Sequence, residues 1–264
     1  MVITCWAMVA NNPNPKKARG AFLLPNAFTT AALLAGFYAI IAAFNGEIIS
    51  SCVAILVAGI LDGVDGRVAR MTNTQSEFGV QYDSLSDLVS FGIAPGLLAF
   101  AWVSGSLGMP ETTTAKLGWL AAFFYTACGA LRLARFNTQA GVADKAYFQG
   151  MASPAAAGTL MSTVWFSIDR GISPDIMAGP VLVLMVLLGA LMVSGIRYYS
   201  FKQAPPSGRV PVTKILIMIG VFVLLAIDLP AVLFAIGVTY TLSGPLLTIK
   251  GRYAARQRRR RGLD

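Results

Sequence analysis

The sequence predicts an all-α integral-membrane protein: a polytopic bundle of about eight transmembrane helices with both termini on the cytoplasmic side. Three observations carry this. Of 264 residues, 56% are hydrophobic and only 12% are charged, with a mean hydropathy of +0.66, whereas a soluble domain carries about 25% charged residues. Apolar runs of about 20 residues, the length that crosses a bilayer core, recur along the chain. The basic residues gather in alternate loops, as the positive-inside rule requires of cytoplasmic ones.

The runs fall at residues 26–44, 48–69, 84–105, 116–135, 151–168, 176–195, 211–228 and 230–249. A backbone surrounded by lipid must satisfy its own polar groups, so each run reads as a helix. Alternating segments of about 10 residues, which a membrane barrel needs, do not occur. Only Asp228-Leu229-Pro230 separates the last two runs, a tight turn between two helices. The first ten residues are apolar, uncharged and too short for a cleaved signal peptide. Every Lys and Arg except Lys116 and Arg170 falls on one side of this arrangement. An odd number of spans would scatter that bias.

The division expected is a cytoplasmic segment at 1–25 and a catalytic core of about six spans at 26–202. A linker containing Pro205-Pro206-Ser207-Gly208 follows with two further spans at 203–249, then a basic tail at 250–264. The run Arg256-Gln257-Arg258-Arg259-Arg260-Arg261 resembles a nucleic-acid patch in isolation. Beside a membrane span it reads instead as attraction to anionic headgroups, worth about 1 kcal/mol per basic residue, and no nucleic-acid partner is expected.

The sequence contains no histidine, which excludes imidazole triads, ligands and shuttles. Cys5, Cys52 and Cys128 are scattered and suggest neither a disulfide framework nor a zinc site. The chemistry falls to carboxylates. Asp62, Asp65 and Ala69 lie at i, i+3 and i+7, on one helical face; Asp83 and Asp87 lie at i, i+4 on the next helix. Two antiparallel helices can therefore aim four carboxylates at one point. Each ionised side chain in a membrane costs at least about 2.5–3.5 kcal/mol. Arg67 and Arg70 offer one compensation, a salt-bridged helix pair; hard divalent cations, which prefer oxygen ligands, offer a better one. Four carboxylates suit a two-cation site of the kind used in phosphoryl transfer. Gly66, Ala69 and Gly79 leave room for a ligand to approach the backbone, whereas Gly63 reads as a helix-packing glycine.

The pattern Asp-x-x-Asp-Gly-x-x-Ala-Arg, eight residues, then Gly-x-x-x-Asp-x-x-x-Asp, complete from Asp62 to Asp87, resembles the signature of the CDP-alcohol phosphatidyltransferase family. Pro25-Asn26-Ala27-Phe28-Thr29 is similar to an N-terminal motif of these enzymes. Within the family the chain is similar to the integral-membrane phosphatidylserine synthase branch. The residues carrying that likeness are 75–79, 84–92, 131–137, Phe148-Gln149-Gly150 with Ser153-Pro154, and 197–202.

The resemblance implies a transfer of the phosphatidyl group from CDP-diacylglycerol to the hydroxyl of L-serine, releasing CMP. It implies two divalent cations, Mg²⁺ or Mn²⁺ with Ca²⁺ as a third candidate, one held by Asp62, Asp65 and Asp83 and the other by Asp62, Asp83 and Asp87. Gly66, Ala69, Arg70 and Gly79 would line the CDP pocket, with Asn26 and Thr29 nearby, and Asp87 would be the base. It also implies a homodimer in the inner membrane, with the site facing the cytoplasm. The serine carboxylate calls for a cationic clamp, for which Arg132 and Arg135 with Asn137, or Arg197 and Lys202, are the candidates; the bland reading is that these bases only anchor helix ends. A phosphatidylglycerol-phosphate or phosphatidylinositol enzyme would share Asp62–Asp87. A divalent-cation transporter would spread carboxylates over several spans.

Overall fold

The computed structural model describes residues 15–72, 76–105, 113–139, 147–199 and 212–260. The chain forms α1 (Pro15–Phe44), α2 (Ile48–Met71), α3 (Glu77–Asp87), a π turn (Leu88–Ile93), α4 (Ala94–Ser104), α5 (Thr113–Gln139), β1 (Tyr147–Gln149), α6 (Ser153–Asp169), α7 (Pro174–Val193), β2 (Arg197–Tyr199), α8 (Val212–Ile227) and α9 (Leu229–Arg260). Among the described residues, six stretches are long and apolar enough to cross a membrane: Asn26–Phe44, Ile48–Val68, Glu77–Ser104, Ala115–Thr138, Pro174–Val193 and Leu229–Thr248. The outward faces are apolar, with Leu34, Phe123, Ile176 and Phe222 all exposed, the pattern of a bundle whose solvent is lipid.

Two of the eight expected spans fall short. Helix α6 has 17 residues and α8 has 16, of which Leu216–Ile227 is the apolar part. The all-α expectation also needs one correction. β1 and β2 form a short antiparallel ribbon in the register Tyr147↔Tyr199, Phe148↔Tyr198 and Gln149↔Arg197. Ribbon and turn tie the entrance of α6 to the end of α7. Beyond β1 the chain bonds to that end through Gly150 N–H to the Ile196 carbonyl (2.9 Å) and Met151 N–H to the Leu191 carbonyl (3.0 Å). Gly150, at φ +81°, sits so close to the Met192 carbonyl that a Cβ would overlap it.

Helix ends depart from the apolar runs where polar groups cap them. The third helix begins at Glu77 rather than at residue 84, because the Ser76 hydroxyl accepts the Gly79 N–H at 2.9 Å and satisfies a donor of the first turn. Asp228 does the same for α9, accepting from Ala231 N–H at 3.0 Å, so α8 and α9 are separate helices as the short turn requires. Helices α1 and α9 run beyond their apolar stretches, at the N-terminal and C-terminal ends respectively.

α1 and α2 form a hairpin around Gly46, whose φ is +79°. Their seam is built from small buried residues, Ala39, Ala42 and Ala43 against Ser51, Cys52 and Ala58, which lets the backbones approach. The Ser51 hydroxyl donates across it to the Ala39 carbonyl at 2.7 Å. The π turn continues α3 into α4 and is clasped on two sides. Tyr125 and Thr126 of α5 donate hydroxyls to the Phe91 and Gly92 carbonyls (3.0 and 3.2 Å), and Ser90 donates to Ala32 of α1. Gly36 lies so near Ser90 that a Cβ would collide with it. Fully buried Tyr125, Met151, Leu160, Met185 and Leu188 belong to the core that joins α4, α5, α6 and α7.

Candidate active site

Antiparallel packing brings these segments together: the C-terminal halves of α2 and α5, the short helix α3, the N-terminal turn of α6, and the first spanning turns of α1. Asp62 and Asp65 come from α2, and Asp83 and Asp87 from α3. One carboxylate oxygen from each of Asp62, Asp83 and Asp87 lies within 4.8 Å of the others, and the Asp62 and Asp87 carboxyls are within hydrogen-bond reach. Asp65 stands one turn away and is buried. Its Oδ2 accepts the Thr29 hydroxyl of α1 at 2.8 Å, between two residues that are each 5% exposed.

This geometry fits hard cations. Among the described residues Asp83 Oδ1 is buried without a hydrogen-bond partner, and an acceptor taken out of water in that way costs free energy unless something positive meets it. The donor set is all oxygen, as Mg²⁺, Mn²⁺ and Ca²⁺ prefer. Arg67 is exposed and makes no ion pair among the described residues, so it does not supply the compensation; the ion pairs seen are those of Arg170 with Asp169 and Asp228, at the opposite end of α6. All four carboxylates sit at one end of two helices rather than across several spans, which removes the transporter reading.

The glycines divide. Gly66 opens onto free space, as a residue beside a ligand should. Gly79 has its structural reason in the cap, since a Cβ there would stand 3.1 Å from Ser76 Oγ and 3.8 Å from Asn26 Oδ1. That approach also brings Asn26 to the α3 entrance, where Thr30 and Tyr82 join hydroxyls at 3.0 Å. Gly63 corrects the expectation of a packing glycine: a Cβ there would meet nothing within 4 Å, because it lies on the outer face of α2. The side chains of Ala69 and Arg70 lie outside the described residues.

The bases of α5 also divide. Arg132 does not snorkel. It points into the bundle, donates Nη1 to Ser153 Oγ at 2.9 Å, and leaves Nε buried without a hydrogen-bond partner among the described residues. Asp87, Tyr240 and Tyr125 all lie within its electrostatic reach. Arg135 turns instead toward the end of α7, where Nη1 meets the Val193 carbonyl at 3.4 Å. Asn137 is committed to α3: its amide donates to Gln81 Oε1 (3.1 Å) and Ser84 Oγ (3.0 Å). Gln81, Ser84 and Asn137 close the polar end of a groove of about 230 Å³ whose other lining is apolar, Leu85, Leu88, Ala130, Leu133 and Ala134. Arg197 pairs through its backbone on β2, but its side chain, like all of Lys202, lies outside the described residues.

Three contributors escape the sequence reading. Ser153 anchors Arg132, and Tyr125 with Thr126 hold the π turn directly after Asp87. Of these, only Ser153 stood out in the sequence, as part of Ser153-Pro154 in the family likeness and without an assigned role.

The family model for CDP-alcohol phosphatidyltransferases matches residues 22–170, the stretch that contains every carboxylate of the site. The chain belongs to the CDP-alcohol phosphatidyltransferase family. Among its relatives is the CDP-diacylglycerol–serine O-phosphatidyltransferase of Helicobacter pylori, 37% identical over 182 residues, 69% of this chain and 74% of that protein. The enzyme of the same name from Mycobacterium tuberculosis is 36% identical over 165 residues, 60% of this chain and 54% of its own. The archaetidylserine synthase of Methanothermobacter thermautotrophicus is 29% identical over 187 residues, covering 70% and 73%.

Proposed function

We propose that this protein is a CDP-diacylglycerol–serine O-phosphatidyltransferase, moving the phosphatidyl group of CDP-diacylglycerol to the hydroxyl of L-serine. The observation that carries the reading is the grouping of the Asp62, Asp83 and Asp87 carboxylates, with the half-buried Arg132 near Asp87, in a chain whose named relatives act with serine. The serine oxygen forms a bond to the phosphorus bearing diacylglycerol, the bond from that phosphorus to the CMP oxygen breaks, and the serine proton passes to a base. Asp62, Asp65, Asp83 and Asp87 would hold two divalent cations, Mg²⁺ or Mn²⁺, which when bound neutralise the pyrophosphate and the charge that develops on CMP.

The remaining roles belong to the chain itself. Asp87 accepts the serine proton on a carboxylate oxygen, a step that needs a base within hydrogen-bond reach. Gly66, Gly79 and Asn26, with Ala69 and Arg70, form the side on which the nucleotide lies. Thr29 serves that side by orienting Asp65. Arg132 grips the serine carboxylate: its Nη1 is anchored, its Nε has no hydrogen-bond acceptor among the described residues, and a guanidinium binds carboxylate through paired donors. Arg135 and Asn137 form the outer rim, with Arg197 and Lys202 kept as further candidates for the acceptor on the family resemblance. The acyl chains stay in lipid while the polar head enters from the basic, cytoplasmic side. Eight spans, a homodimer in the inner membrane, and a basic tail on anionic headgroups rather than nucleic acid complete the reading.

The test is CMP release by purified protein given CDP-diacylglycerol, Mn²⁺ or Mg²⁺, and a panel of alcohols. Serine is expected to be the preferred acceptor, and EDTA to abolish release until metal is restored. Preference for glycerol 3-phosphate or inositol would reassign the acceptor within the family. Full activity in metal-free buffer would remove the cations from the scheme.

A further inference from the structure

Asp87, read above as the base, is the last residue of α3 and opens directly onto the π turn. There the main chain bonds back five residues instead of four, as Ala94 N–H does to the Val89 carbonyl. The turn accommodates one extra residue, which rotates α4 by about 100° relative to α3. The face that carries Asp83 and Asp87 is thereby set independently of the face of α4 that packs Leu98 and Trp102 into the core.

A proline adds to the break in the helical ladder. Pro95 has no N–H, so the Phe91 carbonyl, four residues earlier, lacks the donor that an α-helix would supply. The Tyr125 hydroxyl of α5 supplies one at 3.0 Å, from a side chain that is fully buried. Thr126 donates to the next carbonyl, that of Gly92, at 3.2 Å. Small residues admit α5 this closely: a Cβ on Gly96 would stand 3.3 Å from Thr126 Oγ1 and 3.4 Å from the Ala122 carbonyl.

On the other side, Ser86 and Ser90 donate to the Thr29 and Ala32 carbonyls of α1 at 3.2 and 3.1 Å. Residues 86–92 are therefore clamped between α1 and α5 by hydroxyl-to-carbonyl bonds, with Asp87 inside the clamp. The serines tie the segment to α1, and the α5 hydroxyls reach the carbonyls of the turn itself. A buried carbonyl left without a donor is costly, so the bond from Tyr125 favours the register in which the Phe91 carbonyl faces α5.

We propose that Tyr125 is a positioning residue of the phosphatidyl transfer: by bonding the carbonyl that Pro95 frees, it fixes the π turn in the register that aims Asp87 at Asp62 and Asp83. The inference rests on the reading of Asp87 as the base and is independent of which alcohol is the acceptor. It gives part of the placement of the base to α5, a helix outside the Asp62–Asp87 signature.

The experiment compares parent, Tyr125→Phe, Ser51→Ala, Asp87→Asn and the Tyr125→Phe/Asp87→Asn pair in CMP release, with thermal melting in detergent measured for each. Phenylalanine keeps the ring and removes the donor. Ser51→Ala is the matched control, since it removes a buried hydroxyl-to-carbonyl bond of 2.7 Å in the α1–α2 seam, outside the turn. Both variants should melt a few degrees below the parent. Tyr125→Phe should lose about 10- to 100-fold in kcat, the scale of a misplaced reacting group, with KM for serine and for CDP-diacylglycerol within about threefold. Ser51→Ala should keep kcat within about twofold. In the Asp87→Asn background Tyr125→Phe should change kcat by less than about twofold, because the phenol acts through Asp87. Thr126→Val, which removes the neighbouring bond, should lower kcat in the same way, and it carries the test if Tyr125→Phe fails to fold.

A parental kcat in Tyr125→Phe overturns the proposal. So does an equal kcat loss in Ser51→Ala, which marks simple loss of stability, or a full further loss in the Asp87→Asn background. If Asp87→Asn itself keeps a parental kcat, the base reading falls and this inference with it. If Asp87→Asn is impaired while Tyr125→Phe is silent, only the role of the turn is refuted.

Discussion

Replacing Thr29 by Val separates two roles for one hydroxyl. Family resemblance puts Thr29 near the nucleotide, whereas the structure spends its hydroxyl on Asp65 Oδ2, at 2.8 Å and out of solvent. Valine keeps the shape and removes the donor. A hydrogen bond to a charged group contributes about 1.5–3 kcal/mol, and each 1.4 kcal/mol is a factor of ten. Without it Asp65 loses its orientation, and the Mn²⁺ concentration for half-maximal CMP release should rise about 10- to 100-fold. The assay is a metal titration at saturating CDP-diacylglycerol and serine, repeated for lipid KM at saturating Mn²⁺. Thr29→Ser, which retains the hydroxyl, should recover most of the loss. If Thr29→Val keeps the parental metal requirement while the CDP-diacylglycerol KM rises, Thr29 contacts nucleotide and the argument from Asp65 is wrong.

Three further outcomes are expected. Asp87→Asn should lower turnover by about 10²-fold or more, the scale of a general base, while retaining measurable CDP-diacylglycerol binding. Asp62→Asn should lose binding as well, and equal binding by the two would dissolve that partition. Arg135→Lys should leave the serine KM within about threefold, because its guanidinium points to the Val193 carbonyl rather than toward Asp87; a larger rise would move the clamp to Arg135. Gly36→Ala should drive α1 away from the π turn, because its Cβ overlaps the Ser90 backbone and hydroxyl. The cost should be about 1–3 kcal/mol, as in other overpacked sites, read as a lower melting temperature in detergent with reduced activity; an unchanged melt would show that the seam yields freely.

How far each feature could be read from the chain depends on how far apart its partners lie. Asp62 with Asp65, and Asp83 with Asp87, face one way because helical periodicity is local. Ser76 as a cap was equally local, but apolar content alone placed that helix start several residues late. The interior position of Arg132 was not legible, since an arginine at a helix end reads the same whether it snorkels to headgroups or turns inward. Gly63 and Gly66 are alike in sequence terms, and neither reveals that a Cβ there would meet no neighbour.

By itself the sequence determined the lipid environment, through composition and span length, and the carboxylate chemistry, through the absence of histidine and the spacing of four aspartates. Tertiary structure decided which groups those aspartates and arginines meet. Thr29 reaches Asp65 across 36 positions, Arg132 reaches Ser153 across 21, and Tyr125 reaches the carbonyl that Pro95 frees across 34. Such pairings depend on how helices cross and which small residues allow them to touch. Periodicity sets the face a helix presents, and only packing sets what that face meets.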